Sequence, residues 1–288
     1  MATTTSIIGV IGGSGLYQMA GLVGLREVSV TTPFGKPSDK FMRGRLGNVE
    51  LAFLPRHGRG HRLLPTEVNY RANIFAMKKL GVTRLISVSA VGSLRQEIAP
   101  GHLVVPDQFI DRTSQRPSTF FGKGLAAHVS LADPFCPALA QTLADAASAE
   151  GAQVHRGGTY LCIEGPQFST RAESQLYRSW GAHVIGMTNL QEAKLAREAE
   201  ICFATLALAT DYDCWNQQAG NVEIEQVLAV LKQNVLLAQK TIRRAVASLG
   251  ESRSCACASA LKDAIITDKS RIPKKVRTAL RPISGKYL

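Results

Sequence analysis

The stretch ICFATLALATDYDCW (residues 201–215) begins as an almost unbroken apolar run and ends with two carboxylates. Runs of this kind, without alternation of polar residues, are typical of strands buried on both faces of a mostly parallel sheet. Ligands of open α/β sheets gather beyond the carboxyl ends of the strands, where Asp211 and Asp213 would lie. The two-residue period of an extended chain predicts that both aspartates point to one side.

Six further runs resemble this one and are separated by helical patterns. They span residues 6–12, 49–54, 84–90, 102–106, 158–163 and 183–187. Seven such runs with intervening helices predict one α/β domain with a large mixed, mostly parallel central sheet flanked by helices. Thr170 with Glu173, and Asn189 with Glu192, have the spacing of capping boxes and predict two helix starts.

The net charge of +12 is concentrated near the C-terminus. Residues 251–288 hold nine Lys or Arg against three acids, which accounts for +6. We therefore divide the chain into a main α/β domain (1–267) and a basic, solvated C-terminal tail (268–288). The tail has no interleaved aromatic pairs, so we expect no nucleic-acid partner. No apolar stretch reaches 18 residues and no signal segment is apparent, which predicts a cytoplasmic protein without membrane contact.

Six scattered cysteines do not form the pattern of a secreted disulfide framework. Cys255 and Cys257 form a C-x-C pair that cannot complete a four-ligand zinc site alone, and no histidine lies nearby, so we expect no metal site. Either a disulfide or a reduced exposed pair is compatible with this spacing.

Polar groups that suit an anion follow several of the predicted strands. The first run leads into GGSG, with Ser14, but Gln18 stands where a dinucleotide fingerprint has its third glycine. Arg56 and His57 follow the second run. Ser89 and Thr188 end two others, and together these groups would suit a free phosphate ion.

The remaining strand ends suit a purine. Phe168, in the loop that follows residues 158–163, could stack on a planar base. A 6-aminopurine offers a ring nitrogen that can take a proton and an amine that donates one. Asp211, if protonated, would donate to N7 of the leaving base, and Asp213 would accept from the amino group. Burial and the neighbouring carboxylate would both raise the aspartate pKa, as a general acid requires.

These pieces together resemble the trimeric purine nucleoside phosphorylase family. The resemblance rests on GVIGGSGL, TPFGKPSD, RHGRGH, PTEVNYRANIFAMK, IEGPQFSTRAES, MTNLQEAKLAREA and TDYDCW, among other stretches, and covers residues 7 to 235. It implies phosphorolysis of 5′-methylthioadenosine to adenine and 5-methylthioribose 1-phosphate, in purine and methionine salvage. It also implies a homotrimer that needs no cofactor or metal, with inorganic phosphate as co-substrate.

The resemblance also assigns roles to individual residues. The residues matching the family's phosphate site are Ser14, Arg56, His57, Ser89, Ala90 and Thr188. Those matching its nucleoside site are Met187 at the ribose, Phe168 at the base, the 5′-methylthio wall Ile224, Val227 and Leu228, and His128 from the adjacent subunit. Asp211 and Asp213 match the pair that distinguishes 6-aminopurine enzymes from 6-oxopurine enzymes.

Three alternatives remain open. Gly186 stands where members acting on methylthioadenosine commonly have asparagine, and glycine is more usual in the 6-oxopurine branch. A purine nucleoside phosphorylase of broader or 6-oxopurine preference is therefore the nearest alternative. A basic nucleic-acid-binding protein on an inactive phosphorylase scaffold is the second, and a nicotinamide oxidoreductase is a distant third.

Overall fold

The computed structural model describes residues 7–216, 224–250 and 252–288. Within these ranges, eleven strands join in one mixed sheet flanked by helices, which confirms the predicted fold class. The strands are β1 Ile7–Gly12, β2 Leu22–Val28, β3 Phe41–Leu46, β4 Val49–Pro55, β5 Val82–Ser93, β6 Leu103–Val105, β7 Gln108–Arg112, β8 Val154–Arg156, β9 Thr159–Ile163, β10 Val184–Gly186 and β11 Cys202–Asp211. All seven predicted strands are present; β2, β3, β7 and β8 were not predicted.

The long strand β5 lies at the centre of the sheet. It pairs in parallel with β1 and β11 and antiparallel with β10, while β1 pairs in parallel with β4. The carboxyl ends of β1, β4 and β11 therefore meet along one edge beside β5. At this edge the N–H of Arg56, just after β4, donates to the carbonyl of Gly12 at the end of β1 (2.9 Å).

Helices cover both faces of the sheet. They are α1 Tyr70–Lys79, α2 Pro137–Ala149, α3 Arg171–Ser179, α4 Leu190–Glu198, α5 Ile224–Ser248, α6 Lys274–Ala279 and α7 Arg281–Ser284. Alternate residues of β1 enter different apolar clusters, Ile7 and Ile11 with α1 and α4, and Ile8 and Val10 with α2 and α5. This alternation shows that the two pairs of helices bury opposite faces of the sheet.

The two predicted capping boxes have different outcomes. Thr170 and Glu173 form a complete box at the start of α3. The box predicted at Asn189 is wrong, because Asn189 has a φ of 92° and its side chain makes no cap hydrogen bond. Its Oδ1 accepts from the Thr205 hydroxyl instead (2.8 Å), and Glu192 turns toward Arg56.

The prediction of a solvated C-terminal tail is also wrong. Ile272, Leu280 and Ile283 are buried in the same apolar cluster as α1, and α7 packs on α1. The basic residues occupy the outer side of this segment, so the charge excess coexists with burial. The boundary between residues 267 and 268 stays a prediction. In the part of the chain described, no helix is both long enough and apolar enough to span a bilayer.

Candidate active site

A cleft opens at the carboxyl edge of the central strands. Ala90 is exposed although its neighbours Ser89 and Val91 on β5 are buried, and Gly13, just after β1, is exposed as well. Exposure in the middle of a central strand means that solvent or a ligand can reach the sheet at this point. Ser89, Ala90 and Thr188 are three of the predicted phosphate residues, and they border this opening.

Arg56 is buried beneath the cleft and is held by Glu192 of α4. Its Nε donates to Oε1 (2.5 Å) and its Nη2 to Oε2 (3.0 Å) of that carboxylate. Nη2 also donates to the Ser87 hydroxyl (2.6 Å) and Nη1 to the Val88 carbonyl (2.9 Å). Four of the five N–H groups thus have partners among the described residues, and one on Nη1 remains for an anion. The sequence suggested that the guanidinium fork of Arg56 binds phosphate, but in the structure that fork binds the carboxylate of Glu192.

His57 is neutral near pH 7 in this environment. Burial, followed by the neighbouring Arg56 charge, lowers its pKa to about 4. Nδ1 lies 2.8 Å from the Leu63 carbonyl, so the proton of the neutral ring belongs on Nδ1. Nε2 is therefore an acceptor, which suits the hydroxyl of a partly protonated phosphate.

Three hydroxyl groups meet at the cleft. Ser89 Oγ lies 3.2 Å from Tyr160 Oη and 3.4 Å from Thr188 Oγ1. Tyr160, on β9, is fully buried, and the position of its side chain explains why residue 186 is a glycine. A Cβ atom at Gly186 would lie 2.0 Å from the Tyr160 hydroxyl, so the tyrosine fills the place of a side chain at residue 186.

Asp211 and Asp213 lie together, but not by the predicted geometry. Asp211 ends β11, whereas Asp213 is in a turn with a φ of 50°, so a strand period does not align them. The N–H of Asp213 donates to Asp211 Oδ1 (2.8 Å), and the Thr210 hydroxyl donates to Oδ2 (2.7 Å). Asp213 Oδ2 is buried and has no hydrogen-bond partner among the described residues.

Both carboxyl groups are easier to protonate than an exposed aspartate. Burial raises the pKa of Asp211, and burial together with the Asp211 charge raises the pKa of Asp213 to about 6. Two interacting acids titrate as a pair, so the proton belongs to both. A raised pKa makes the neutral form of a carboxyl, which can donate a proton to a substrate, easier to populate.

The register of the sheet sets the distance between the aspartates and the hydroxyl cluster. Asp211 pairs with Gly92, while Ser89 lies three residues earlier on β5. At about 3.3 Å per residue, the two groups are roughly 10 Å apart along the strand. An anion at one end and a planar base at the other would leave room for a sugar between them.

The other predicted nucleoside residues lie on the loops beside this edge. The side chain of Met187 packs over Gly165, whose Cβ would lie 2.5 Å from the Met187 sulfur. Phe168 is 51% exposed, which leaves its ring face open to a base. His128 is exposed in a different segment, where its N–H donates to the Ala264 carbonyl (2.8 Å).

Four predicted residues have side chains outside the described part of the structure. Ser14 begins a 3₁₀ turn after β1, and Ile224, Val227 and Leu228 begin α5. Their predicted roles in the phosphate site and in the 5′-methylthio wall stay predictions.

Sequence reasoning missed Arg116, Glu192 and Tyr160. Arg116 Nε donates to Glu164 (2.8 Å) and its Nη1 to the Met187 carbonyl (2.5 Å), so it joins the two loops that carry Phe168 and Met187. No local pattern marks these contacts, since each partner is distant in the sequence.

Comparison with known proteins gives a consistent result. The sequence matches the family described as the phosphorylase superfamily over residues 7–247. The S-methyl-5′-thioadenosine phosphorylase of Geobacter sulfurreducens is 62% identical over 283 residues, which is 98% of this chain and 99% of that protein. The protein of the same name from Koribacter versatilis is 57% identical, over 97% of this chain and 96% of its own length.

Solved structures agree. A methylthioadenosine phosphorylase from an antarctic soil metagenomic library superposes with a TM-score of 0.92 at 50% identity, covering 98% of this chain and 99% of its own. The methylthioadenosine phosphorylase of Schistosoma mansoni in complex with adenine superposes with a TM-score of 0.84 at 36% identity, over 92% of this chain and 99% of its own. The chain described here therefore belongs to the phosphorylase superfamily.

Proposed function

We propose that this chain cleaves 5′-methylthioadenosine with inorganic phosphate, releasing adenine and 5-methylthioribose 1-phosphate in purine and methionine salvage. The observation that carries the proposal is the spacing of two groups of side chains along β5. A carboxyl pair whose pKa values are both raised lies at and just after the end of β11, about three residues of strand from the hydroxyl cluster. Relatives up to 62% identical are named for this activity.

At the phosphate end, Ser89 and Thr188 would donate hydroxyl hydrogen bonds to the anion, with the Ser14 hydroxyl and the backbone of Ala90 beside them. Arg56 supplies its remaining N–H and a positive charge partly balanced by Glu192. Neutral His57 would accept a hydrogen bond at Nε2 from the hydroxyl of a partly protonated phosphate. This set binds an anion without neutralising it fully, so the phosphate oxygen keeps the charge needed to stabilise a cationic sugar.

At the base end, departure of the purine places negative charge on its ring nitrogens. Asp211 would donate its proton to N7, and Asp213, with its unpartnered Oδ2, would accept from the 6-amino group. Both pKa values are raised, which favours proton donation near neutral pH. A 6-oxopurine would instead place an acceptor opposite the Asp213 carboxylate.

The remaining assignments concern the nucleoside and the assembly. Phe168 would stack on the base, Met187 would lie against the ribose, and Ile224, Val227 and Leu228 would surround the methylthio group. His128 would complete a neighbouring copy's site in a cytoplasmic homotrimer, which is consistent with its exposure. No cofactor takes part in this reaction scheme, because phosphate and an aspartate supply the nucleophile and the proton.

Gly186 supports a second candidate, a phosphorylase of broader or 6-oxopurine preference. The Tyr160 hydroxyl occupies the space of a side chain at residue 186, so this chain presents no group from that position to the base. One assay separates the candidates: release of adenine, hypoxanthine and guanine from methylthioadenosine, inosine and guanosine, with and without phosphate. We expect phosphate-dependent adenine release to exceed the others by at least about 100-fold, and the reverse ranking would contradict the proposal.

A further inference from the structure

Four cysteines that are far apart in the sequence meet at the opposite end of β11 from the aspartates. Cys202 is the first residue of β11, and Cys136 is the N-cap of α2. Cys255 and Cys257 come from the segment after α5. The four Sγ atoms all lie within 4.8 Å of one another, and those of Cys202 and Cys255 are 3.2 Å apart.

The arrangement of the sulfur atoms is that of a four-ligand metal site. In a tetrahedral zinc site with bonds of about 2.3 Å, the sulfur atoms are separated by about 3.8 Å. Two disulfides would bring the sulfurs together in two pairs and would not require short distances between the pairs. Here every pair is close, and all four cysteines are free.

The surroundings can balance the charge of such a site. Four thiolates around one Zn²⁺ carry a net charge of −2, and binding from the thiol state releases four protons. Arg253 Nη1 lies 4.0 Å from Cys202 Sγ, and Arg84 and Arg253 both line the cavity beside the cluster. Cys136, as the N-cap of α2, also lies at the positive end of that helix.

The site is accessible to an ion from solvent. A cavity of about 190 Å³ opens beside the cluster, and Cys136, Cys202 and Cys255 are among its lining residues. Cys255 is partly exposed, while Cys257 is 6% exposed. An ion entering through the cavity would reach three ligands and then the fourth behind them.

We propose that Cys136, Cys202, Cys255 and Cys257 bind one structural Zn²⁺ ion. The sequence alone led to the expectation of no metal site, because the C-x-C pair lacks two ligands; the fold supplies both. The ion would fasten the segment after α5 to the start of α2 and of β11. The role is structural because all four positions are protein ligands and none is left for a substrate.

Metal analysis of the full chain tests this directly. The protein is purified under reducing conditions from zinc-supplemented cells, dialysed, and its zinc content is measured by mass spectrometry. We expect about one Zn²⁺ per wild-type chain and less than about 0.1 in Cys257→Ser. Cys214 is a free cysteine outside the cluster, so Cys214→Ser is the matched control, and this variant should retain the metal. Chelator treatment of the wild type should lower its melting temperature, and added Zn²⁺ should restore it.

Cobalt substitution keeps the test valid even if Cys257→Ser fails to fold. Wild-type protein stripped of metal and refilled with Co²⁺ should show the intense visible bands of tetrahedral cobalt thiolate. Two results would overturn the proposal: wild-type protein with no bound zinc and no such bands, or an intact mass showing that the four cysteines are oxidised to two disulfides in reductant-free buffer that contains Zn²⁺.

Discussion

The guanidinium of Arg56 and the carboxylate of Glu192 form a bidentate ion pair that is buried at the floor of the cleft, with Nε to Oε1 at 2.5 Å. The pair joins the residue that follows β4 to α4, and the two side chains are 136 positions apart in the sequence. Because the pair is buried, losing one partner leaves an uncompensated charge in the interior.

Glu192→Gln should lower the free energy of unfolding by about 3–5 kcal/mol, because it removes the charge that compensates Arg56. Urea denaturation at neutral pH measures the change. Glu150→Gln is the matched control, since it breaks the Arg244–Glu150 pair, in which the arginine side chain is 52% exposed, and should cost less than about 1 kcal/mol. Equal losses of unfolding free energy in the two variants would show that the buried Arg56–Glu192 pair stabilises the fold no more than the surface pair does.

Asp213→Asn should stabilise the protein above pH 6 while lowering its activity. The pKa of Asp213 is raised to about 6 in the folded protein, above that of an unfolded aspartate, so the wild type loses stability as pH rises through this interval. The loss is at most about 3 kcal/mol. Asparagine does not titrate and tolerates the positive φ at this position.

The measurement is the melting temperature of both proteins from pH 4 to pH 8. The melting temperature of Asp213→Asn should exceed that of the wild type by an amount that grows between about pH 4 and pH 6 and stays constant above that range. A difference that shrinks over the same interval would mean that the fold stabilises the Asp213 carboxylate rather than the neutral acid.

Gly186→Ala should destabilise the protein by about 1–3 kcal/mol through overpacking. Its Cβ would lie 2.0 Å from the hydroxyl and 2.7 Å from the ring carbon Cζ of Tyr160, a fully buried side chain. Gly250→Ala is the control, because its Cβ would meet no described atom within 4 Å. Thermal unfolding of both variants provides the comparison, and similar melting temperatures would show that Tyr160 can move away at little cost.

The sequence predicted the elements that are buried on both faces and missed the others. The seven apolar runs are strands because continuous burial leaves a local signal. β2 is largely exposed and no residue of β8 is fully buried, so these strands are held by pairing with their neighbours and leave no apolar run in the sequence. The basic charge of residues 268–288 likewise concealed Ile272, Leu280 and Ile283, three residues that anchor the segment.

The candidate site was predictable where it depended on strand ends and not where it depended on distant partners. Asp211 and Arg56 were found because Asp211 ends and Arg56 follows a buried strand. Ser89 was found near the end of a predicted apolar run, although β5 continues beyond it to Ser93. The capping-box spacing of Asn189 and Glu192 concealed that Glu192 pairs with Arg56 instead. Cys136 and Cys202 could not be connected with the C-x-C pair, since only the folded chain brings them together.

The account rests on the carboxyl pair that ends β11, and the most direct test is the substrate ranking of Asp211→Asn. Values of kcat/KM are measured for methylthioadenosine and for its 6-oxo analogue methylthioinosine, with phosphate held at saturation. We predict that the variant loses at least about 100-fold on the 6-amino substrate and much less on the 6-oxo substrate. An asparagine amide can hydrogen-bond N7 but cannot protonate it, and a departing 6-oxopurine can delocalise its negative charge onto the 6-oxygen, whereas adenine cannot. Equal losses on both substrates would contradict the account, since Asp211 would then not distinguish the base.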